Sequence, residues 1–524
     1  MKEKNIINYQ IRLCLFFLIV CSIVCPVSSA PLMNTSTQDS IIVDFDQFAT
    51  DVFNQSDIPG MAIAITDRSH ILYAKGFGMT SLENPQPVTP DTIFLINSMS
   101  KAFTSAIVGI LIDRGVFSWN DTVVSILPDF ALSDPKTTRE ITISDLLVHN
   151  SGLFEYDGDL LFRMGLKSND IVHQMRYLET EKPFRSGYGY NNLHYFVASE
   201  MINKKTGYPL SYTLKDLLLT PLGMQNTSIG FDFLSSPETT RCGFADHHII
   251  SENGYVPVPM DKDYLYGEYG EVGAGGISSN VIDMTKWLRL WLNEGKISGN
   301  RVLQNETIRE ILRPANTIAS GPGFNFTYAK GWVVKCDPML PYPVIWHNGA
   351  TAGMSSYNGF IPEEGIGIVV LTNAGENGVA DFIGDTFMFM ISNPTDYYEF
   401  TNISALGSDI RPTAPVSPYS GVKPGTYDYS GLQGSYLNNY YGEMNIRNES
   451  GDFIVELGPR PLRLNLTPVN KTSSLFRFEP LIQNVSTPDG LFSFTYNSDN
   501  KVETISAQGL TNPDRPPVIF SRVS

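Results

Sequence analysis

The chain has 524 residues, of which 42% are hydrophobic and 17% charged, so a disordered protein is excluded and two or three domains are expected. A formal net charge of −17 argues against nucleic acid or an acidic membrane surface as a partner. No Cys and His residues have the spacing of metal ligands, so we predict neither a metal nor a cofactor, and we expect the adjacent His247 and His248 to be non-ligands.

Residues 1–30 are predicted to be a secretory signal. Basic residues precede the apolar stretch Leu13–Val24, and Val27-Ser-Ser-Ala30 supplies small residues for cleavage. About a dozen apolar residues is short for a membrane span, which is the alternative. We therefore expect a secreted, extracellular protein with no membrane span after the signal is removed.

The next part of the chain predicts an antiparallel sheet that carries a helical subdomain. Residues 40–58 have the spacing of an amphipathic helix, and Gly60–Thr66 with His70–Phe77 reads as a β-hairpin. Residues 115–330 are mostly helical and loop-like. Four β-type runs follow: Gly331–Lys335, Pro343–Trp346, Ser355–Ile361 and Ile366–Leu371. Strands at both ends of a helical insertion indicate an α/β (α+β) fold, an antiparallel sheet flanked by helices.

Ser98 and Lys101 are the strongest catalytic candidates, because an apolar pattern at helical spacing follows them. At this spacing both side chains lie on one helix face, and the helix N-terminus adds N–H donors near Ser98. A neighbouring amine can then take the hydroxyl proton. An ordinary helix cap with a solvated Lys is the alternative. The same spacing recurs without a helical pattern at Ser133-Asp-Pro-Lys136, Ser420-Gly-Val-Lys423 and Ser498-Asp-Asn-Lys501.

Tyr190 and Asn192 form a second candidate pair, since in an extended segment they point the same way. A phenol near an ammonium can act as a general base, and an amide two residues on can hold a substrate carbonyl. A surface loop rich in Tyr and Asn is the alternative.

A third candidate segment, Trp346-His-Asn-Gly-Ala350, enters a turn. Gly349 would let a ligand approach the backbone closely. The N–H groups of Ala350 and Ser98 would together form an oxyanion hole. For His347 alone, a structural histidine is the alternative. On physical grounds the segment Ile141–Leu153, a helix that runs into a turn at Gly152, is scaffold.

Composition changes after residue 400, which sets the domain boundaries. We expect a large first domain over 31–400, a Pro-rich linker over 401–426 and a small all-β barrel or sandwich over 427–524. The barrel prediction rests on short alternating runs: Tyr440–Ile446, Phe453–Leu457, Leu475–Phe478, Leu491–Tyr496 and Val518–Ser521.

The expected secretion decides how the cysteines and the Asn-x-Ser/Thr sequons are interpreted. Cys14, Cys21 and Cys25 leave with the signal; Cys242 and Cys336 remain, either as a disulfide or as two buried thiols. Asn-x-Ser/Thr sequons are candidate glycan sites. They lie at Asn34, Asn54, Asn120, Asn226, Asn305, Asn325, Asn402, Asn448, Asn465, Asn470 and Asn484.

The order of these motifs resembles the serine β-lactamase-related family, which holds class C β-lactamases, D-Ala-D-Ala carboxypeptidases, D-aminopeptidases and related esterases (peptidase S12 type). The resemblance covers about residues 40–395. It rests on Ser-x-x-Lys, Leu-Leu-x-His-x-Ser-Gly, Tyr-x-Asn, Pro221-Leu-Gly-Met224, Gly275-Gly276 and His-x-Gly, in that order. It implies the β-lactamase/transpeptidase-like fold, and the tail resembles a β-barrel often appended to members.

The resemblance implies a role for each candidate. Ser98 would be the acylated nucleophile, Lys101 its proton partner, and Tyr190 the general base and later the acid. Asn192 would orient the substrate, while His347 and Gly349 would line the strand edge along which it lies, with the Ala350 N–H in the oxyanion hole.

One departure narrows the expected chemistry. The β-lactamases and carboxypeptidases have Lys where this chain has His347, and a neutral His is a poor partner for a substrate carboxylate. We therefore expect a secreted, glycosylated serine hydrolase acting on a small ester, amide or peptide rather than on antibiotics. The alternative is a non-catalytic, acidic glycoprotein of an extracellular or mineral matrix that associates with Ca²⁺.

Overall fold

The computed structural model describes residues 35–230, 243–251, 253–258, 270, 273–375, 377–395, 397, 425, 427, 429–478, 489–510 and 515–523. Several predictions fall on other residues. The signal, Cys242, the Ser420–Lys423 motif, nearly all of the 401–426 linker, and the sequons at Asn34, Asn402 and Asn484 lie outside the described residues.

An eight-stranded antiparallel sheet is the centre of the first domain, in the order β10–β11–β12–β13–β14–β15–β1–β2. The described strands of this domain are β1 (Gly60–Asp67), β2 (Ile71–Gly78), β3 (Phe94–Leu95), β4 (Ser228–Ile229), β5 (His248–Ser251), β6 (Gly254–Pro257), β7 (Ile277–Ser279), β8 (Lys296–Ile297), β9 (Asn300–Arg301), β10 (Asn316–Gly321), β11 (Phe324–Tyr328), β12 (Val333–Cys336), β13 (Val344–Ala350), β14 (Ser355–Ile361) and β15 (Ile366–Thr372).

Helices cover both faces of this sheet and fill the insertion between β2 and β10. They are α1 (Thr35–Ser56), α2 (Ser100–Asp113), α3 (Val123–Ile126), α4 (Pro135–Glu140), α5 (Ile143–Leu147), α6 (Asp159–Arg163), α7 (Ser168–Gln174), α8 (Leu193–Thr206), α9 (Leu210–Leu214), α10 (Thr220–Leu222), α11 (Val281–Leu292), α12 (Asn305–Ile311) and α13 (Val379–Ser392). The predicted antiparallel sheet with a helical subdomain is confirmed.

Side-chain alternation in β1 explains how the two faces separate. Ile63 and Ile65 join the apolar cluster that contains residues of α1 and α13, whereas Ala62 and Ala64 join the cluster that contains Trp287 of α11. Successive residues of a strand point to opposite faces, so one hydrophobic run serves two helical layers.

The sequence prediction missed part of the sheet. Residues 115–330 were expected to be mostly helical and loop-like, yet β10 and β11 lie in that range and form its far edge. Both strands are short and only partly buried, so they lack the continuous apolar run that marked β14 and β15.

The C-terminal region is a closed eight-stranded antiparallel barrel, so the barrel prediction is confirmed. Three of its strands, β16, β19 and β22, were not predicted. The strands are β16 (Gly434–Asn438), β17 (Gly442–Glu449), β18 (Asp452–Leu457), β19 (Leu462–Asn470), β20 (Ser473–Phe478), β21 (Asp489–Tyr496), β22 (Val502–Gln508) and β23 (Val518–Arg522).

The barrel packs directly on the helical subdomain. One contiguous cluster of buried apolar residues runs from the subdomain into the barrel interior. At the junction the Arg460 N–H donates to the Met164 carbonyl at 2.9 Å, and an open groove of about 920 Å³ lies beside it. Among the described helices, none combines the length and apolarity needed to cross a bilayer.

Gly331 lets the sheet approach α2 closely. Its φ is +80°, and a Cβ there would lie 2.8 Å from the Cα of Ala102, next to Lys101. We expect Gly331→Ala to lower the free energy of unfolding by about 2–4 kcal/mol, since it adds a steric clash to left-handed strain. Urea denaturation followed by tryptophan fluorescence measures this loss.

Gly207→Ala is the matched control for the Gly331 variant. Gly207 also has a positive φ, of +75°, but nothing lies within 4 Å of the point that a Cβ would occupy there. It should lose only the conformational part, about 1–2 kcal/mol. Equal losses in the two variants would show that the close approach at Gly331 is not a constraint.

Candidate active site

Ser98 lies in a tight turn that is held from two sides. It belongs to the 3₁₀ turn Asn97–Met99, directly before α2, and Asn97 has a φ of 52°, a left-handed conformation that Asn tolerates better than most residues. The Ile96 N–H donates to the Ile277 carbonyl, and the Ile96 carbonyl accepts from Ser356 Oγ, both at 2.9 Å. Strands β7 and β14 therefore fix the position of Ser98.

Lys101 is completely buried beneath that turn. Its Nζ donates to Ser98 Oγ at 2.9 Å and to the Ala274 carbonyl at 2.9 Å. The alternative of a helix cap with a solvated Lys is wrong, because burial and both hydrogen bonds hold the amine against the serine.

Tyr190 reaches the same hydroxyl from the helical subdomain. Its hydroxyl donates to Ser98 Oγ at 2.8 Å, its ring centroid is 4.8 Å from Lys101 Nζ, and only 4% of the residue is exposed. The alternative of a surface loop is wrong here too. Lys101, one helical turn after Ser98, and Tyr190, which is 92 residues away in sequence, thus meet at the Ser98 oxygen.

Asn192 lies near the site, but in a conformation that differs from the prediction. Its φ and ψ of −63° and −32° are helical, so it leads directly into α8 rather than continuing an extended segment. Its Nδ2 donates to Asp159 Oδ2 at 3.0 Å, so the side chain is held by the first residue of α6.

His347 is buried and neutral. Burial, and then the nearby charge of Lys101, lower its pKa to about 3. Its Nε2 lies 2.9 Å from the Tyr328 hydroxyl and its Nδ1 lies 2.5 Å from the Asn348 carbonyl. A carbonyl only accepts, so we assign the proton to Nδ1, and Tyr328 donates to Nε2. This histidine offers no cation to a substrate.

The end of β13 supplies a strand edge beside Ser98. Pairing between β12 and β13 covers Val344, Ile345 and Trp346, whereas residues 347–350 pair with β14 on the other side. A Cβ on Gly349 would lie 2.5 Å from the Ile96 carbonyl, so only glycine allows this edge to meet the Ser98 turn. Ala350 is exposed at its end.

Two buried histidines brace the Tyr190 segment, a role the sequence did not indicate. His149 Nδ1 accepts from the Asn191 N–H at 3.2 Å and lies 3.0 Å from His194 Nδ1, whose other nitrogen contacts Ser151 Oγ at 2.7 Å. With His149 Nδ1 as acceptor, we assign the proton of His194 to Nδ1. Burial lowers the pKa of both rings, so both are neutral.

Tyr328 and Asp159 are the other contributors that sequence reasoning missed. Tyr328 ends a short alternating strand, and Asp159 ends the acidic stretch that begins at Glu155. The acidic stretch was the one sequence signal of a polar cluster, and no motif in the sequence links either residue to Ser98.

The remaining sequence candidates lie elsewhere. Ser133 is exposed in a bend directly before the short helix α4, which contains Lys136, and Ser498 is exposed in a turn of the barrel. Cys336 is half-buried at the end of β12. His248 Nδ1 donates to the Asn373 carbonyl at 2.9 Å, and its Nε2 accepts from the Leu82 N–H at 3.1 Å, as in a structural histidine. Among the described residues no group of His, Cys, Asp or Glu is placed to hold a metal.

The sequons within the described part of the chain are all accessible. Asn226 and Asn305 are half-buried, and the exposed ones are Asn54, Asn120, Asn325, Asn448, Asn465 and Asn470. Their glycosylation stays a prediction.

Sequence comparison gives relatives of known classes. A family model described as Beta-lactamase matches residues 43–389. An unguisins hydrolase of Aspergillus campestris is 29% identical over 68% of this chain and 66% of its own length. The D-alanyl-D-alanine-carboxypeptidase/endopeptidase AmpH of Escherichia coli is 24% identical over 62% of this chain and 82% of its own.

Solved structures share the fold. The octameric penicillin-binding protein homologue from Pyrococcus abyssi superposes with a TM-score of 0.59 at 19% identity, over 91% of this chain and 99% of that one. A class C beta lactamase from Rhodobacter sphaeroides gives 0.53 at 19% identity, over 66% of this chain and 98% of its own.

The buried histidines predict how stability depends on pH. Burial lowers the pKa of His194, His247 and His347 to about 3, whereas an unfolded chain protonates near the ordinary 6.5. Below pH 6.5 the unfolded state therefore binds more protons, and each ring removes about 1.4 kcal/mol of stability per pH unit. Asp157 and Asp159, with a pKa raised to about 6, oppose this loss between pH 6 and 4.

We expect the urea concentration at the unfolding midpoint to decrease as the pH is lowered from 6.5 to 4. His247→Gln should reduce the dependence of the free energy of unfolding on pH by about 1.4 kcal/mol per pH unit. His247 is fully buried, whereas the side chain of His70 is 79% exposed, so His70→Gln is the control and should keep the wild-type slope. A His247→Gln slope parallel to the wild type would contradict the assignment.

Proposed function

This chain belongs to the beta-lactamase family, and on that premise we propose that it is a serine hydrolase acting through an acyl-enzyme on an ester, amide or peptide. One observation carries the proposal. Ser98 Oγ lies 2.8 Å from the Tyr190 hydroxyl and 2.9 Å from Lys101 Nζ, two groups that exchange protons with a serine.

In the proposed acylation step, Tyr190 first loses its phenolic proton to solvent and becomes a phenolate. Ser98 Oγ then bonds to the substrate carbonyl carbon, the carbonyl oxygen takes the electron pair of the C=O π bond, and the Ser98 proton passes to the Tyr190 oxygen. The Lys101 ammonium stabilises that phenolate, since the two groups are adjacent. Tyr190 then gives the proton to the leaving alcohol or amine as the carbon–leaving-group bond breaks. Water resolves the acyl-enzyme with Tyr190 as the base again.

The developing negative charge on the substrate oxygen would be met by two backbone N–H groups, those of Ser98 and Ala350. The segment 347–350 of β13, which β12 does not pair with, supports this placement, because Gly349 brings it against the Ser98 turn. Asn192 would contact the substrate from the opposite wall, held there by Asp159.

The substrate class follows from the neutral His347. Relatives include an enzyme named for unguisins and one named a D-alanyl-D-alanine-carboxypeptidase/endopeptidase, so the family members act on different substrates. A buried neutral imidazole, already hydrogen-bonded at both nitrogens, gives no charge to a free carboxylate. We propose a substrate without a free carboxylate at that position.

Secretion and glycosylation are part of the same proposal. The predicted signal and the accessible sequons support them.

Labelling with a fluorophosphonate tests the nucleophile. An activated Ser98 displaces fluoride and forms a phosphonyl ester, so intact mass should show one adduct on the wild type and none on Ser98→Ala. Ser498→Ala is the matched control: it has the same Ser-x-x-Lys spacing, in an exposed turn of the barrel, and should label like the wild type. Tyr190→Phe should label about 10²–10⁴-fold more slowly.

An adduct on Ser98→Ala would refute the mechanism. A folded wild-type protein without any adduct would favour the alternative, a non-catalytic acidic matrix glycoprotein, which binding of Ca²⁺ at low salt would then test.

Paired substrates test the proposed class. Two peptide esters that differ only in the leaving group, one ending in a carboxylate and one in a carboxamide, should give kcat/KM values within about tenfold of each other. A preference of more than about 100-fold for the carboxylate would show that another cation recognises it.

A further inference from the structure

The barrel contacts the segment 153–159, which lies between α5 and α6. Arg515, in the connection between β22 and β23, places its Nη1 2.5 Å from Asp157 Oδ1. Beside it, a Cβ on Gly158 would lie 2.6 Å from the Tyr440 hydroxyl, so the barrel leaves no room for a side chain there. The barrel therefore contacts the 153–159 segment at Asp157 and Gly158.

The inner side of the same segment holds the residues around Tyr190. The Tyr156 N–H donates to the Tyr190 carbonyl at 2.9 Å. Asn191 Nδ2 donates to the Asp157 carbonyl at 2.9 Å, and Asn192 Nδ2 donates to Asp159 Oδ2 at 3.0 Å. Each of the three residues Tyr190–Asn192 thus depends on this segment for a hydrogen bond.

The ion pair between the barrel and the segment is buried. The side chain of Asp157 is 0% exposed and that of Arg515 is 10% exposed. Asp157 Oδ2 has no hydrogen-bond partner within the described residues, so Arg515 is the charged partner that the structure gives this carboxylate. Breaking such a pair on one side leaves an uncompensated charge in a place that water does not reach.

Burial and the neighbouring charges shift the pKa of Asp157 in opposite directions. Burial raises the pKa of Asp157 to about 6, Arg515 opposes that rise, and Asp159 and Glu179 add to it. Burial also raises the pKa of Asp159 to about 6, against the charges of Arg163 and Lys101 and the hydrogen bond from Asn192. Removing Arg515 would therefore raise the pKa of Asp157 further.

We propose that Arg515 is a positioning residue for the site: by pairing with Asp157 it holds the 153–159 segment, and through that segment Tyr190 and Asn192, so that the barrel completes the active site. The predicted effect on reaction rate rests on the proposed function, whereas the ordering of the segment does not. Arg515 touches neither Ser98 nor the substrate edge of β13.

The test compares Arg515→Gln with Arg463→Gln in the full chain. Arg463 also pairs with a carboxylate, Glu449, but on the exposed surface of the barrel, with side chains 42% and 48% exposed. We expect Arg515→Gln to slow fluorophosphonate labelling of Ser98 by about 10- to 100-fold, because the catalytic groups lose their alignment. Arg463→Gln should label at the wild-type rate.

Two further readouts separate positioning from general destabilisation. The acidic half-point of the labelling rate should move to higher pH in Arg515→Gln, since the pKa of Asp157 rises. Hydrogen–deuterium exchange should increase in residues 153–159 and 189–193 and stay unchanged in β18 and β19. Arg515→Lys, and Arg515→Gln combined with Asp157→Asn, should each recover most of the labelling rate.

An Arg515→Gln protein with wild-type labelling, pH profile and exchange would overturn the inference and leave the proposed function intact. A wild type that never labels would instead refute the proposed function, and the exchange comparison would still decide whether Arg515 orders the segment. Should Arg515→Gln not fold, Arg515→Lys and the double variant give the same comparison, and equal exchange in all forms would overturn the inference.

Discussion

The site depends on one buried amine. Lys101 lies under the Ser98 turn with no exposed surface, and its Nζ donates to Ser98 Oγ and to the Ala274 carbonyl. A cation in such a place is costly, so its surroundings must be arranged for it. The nearby histidines, His149, His194 and His347, stay neutral partly because Lys101 opposes their protonation. Burial is the largest cause, and the charge of Lys101 adds to it in keeping the histidines around Ser98 uncharged.

The two domains share more than a connecting segment. A contiguous apolar cluster joins the barrel to the helical subdomain, and the buried pair Arg515–Asp157 lies at the same junction. The helical subdomain supplies Tyr190 and Asn192, whereas Ser98 comes from the turn Asn97–Met99, Lys101 from α2 and the strand edge from β13. The barrel thus packs on the half of the site that is built from short helices and loops, which have fewer constraints of their own.

Sequence patterns predicted the elements with strong local signals and missed those that depend on distant contacts. The hairpin β1–β2, the helix after Ser98 and the strands β14 and β15 have long apolar runs or clear turns, so their predictions were confirmed. Strands β10 and β11, at the far side of the sheet, are short and only partly buried; the alternation in β11 covers only five residues. Ser98 and Tyr190 were found from local motifs. Tyr328 and Asp159 were not, because their contacts with His347 and Asn192 form only in the folded chain.

The divided pairing of β13 has a consequence for how a ligand is held. Along residues 347–350 the backbone pairs with β14 on one side and with no described strand on the other, so the polar groups there that have no protein partner require hydration whenever no ligand is bound. An extended chain that docks on this side exchanges those waters for main-chain hydrogen bonds, which are common to all peptides. Under the proposed function, recognition along this line would read the direction of a backbone, and discrimination between side chains would depend on the surrounding walls.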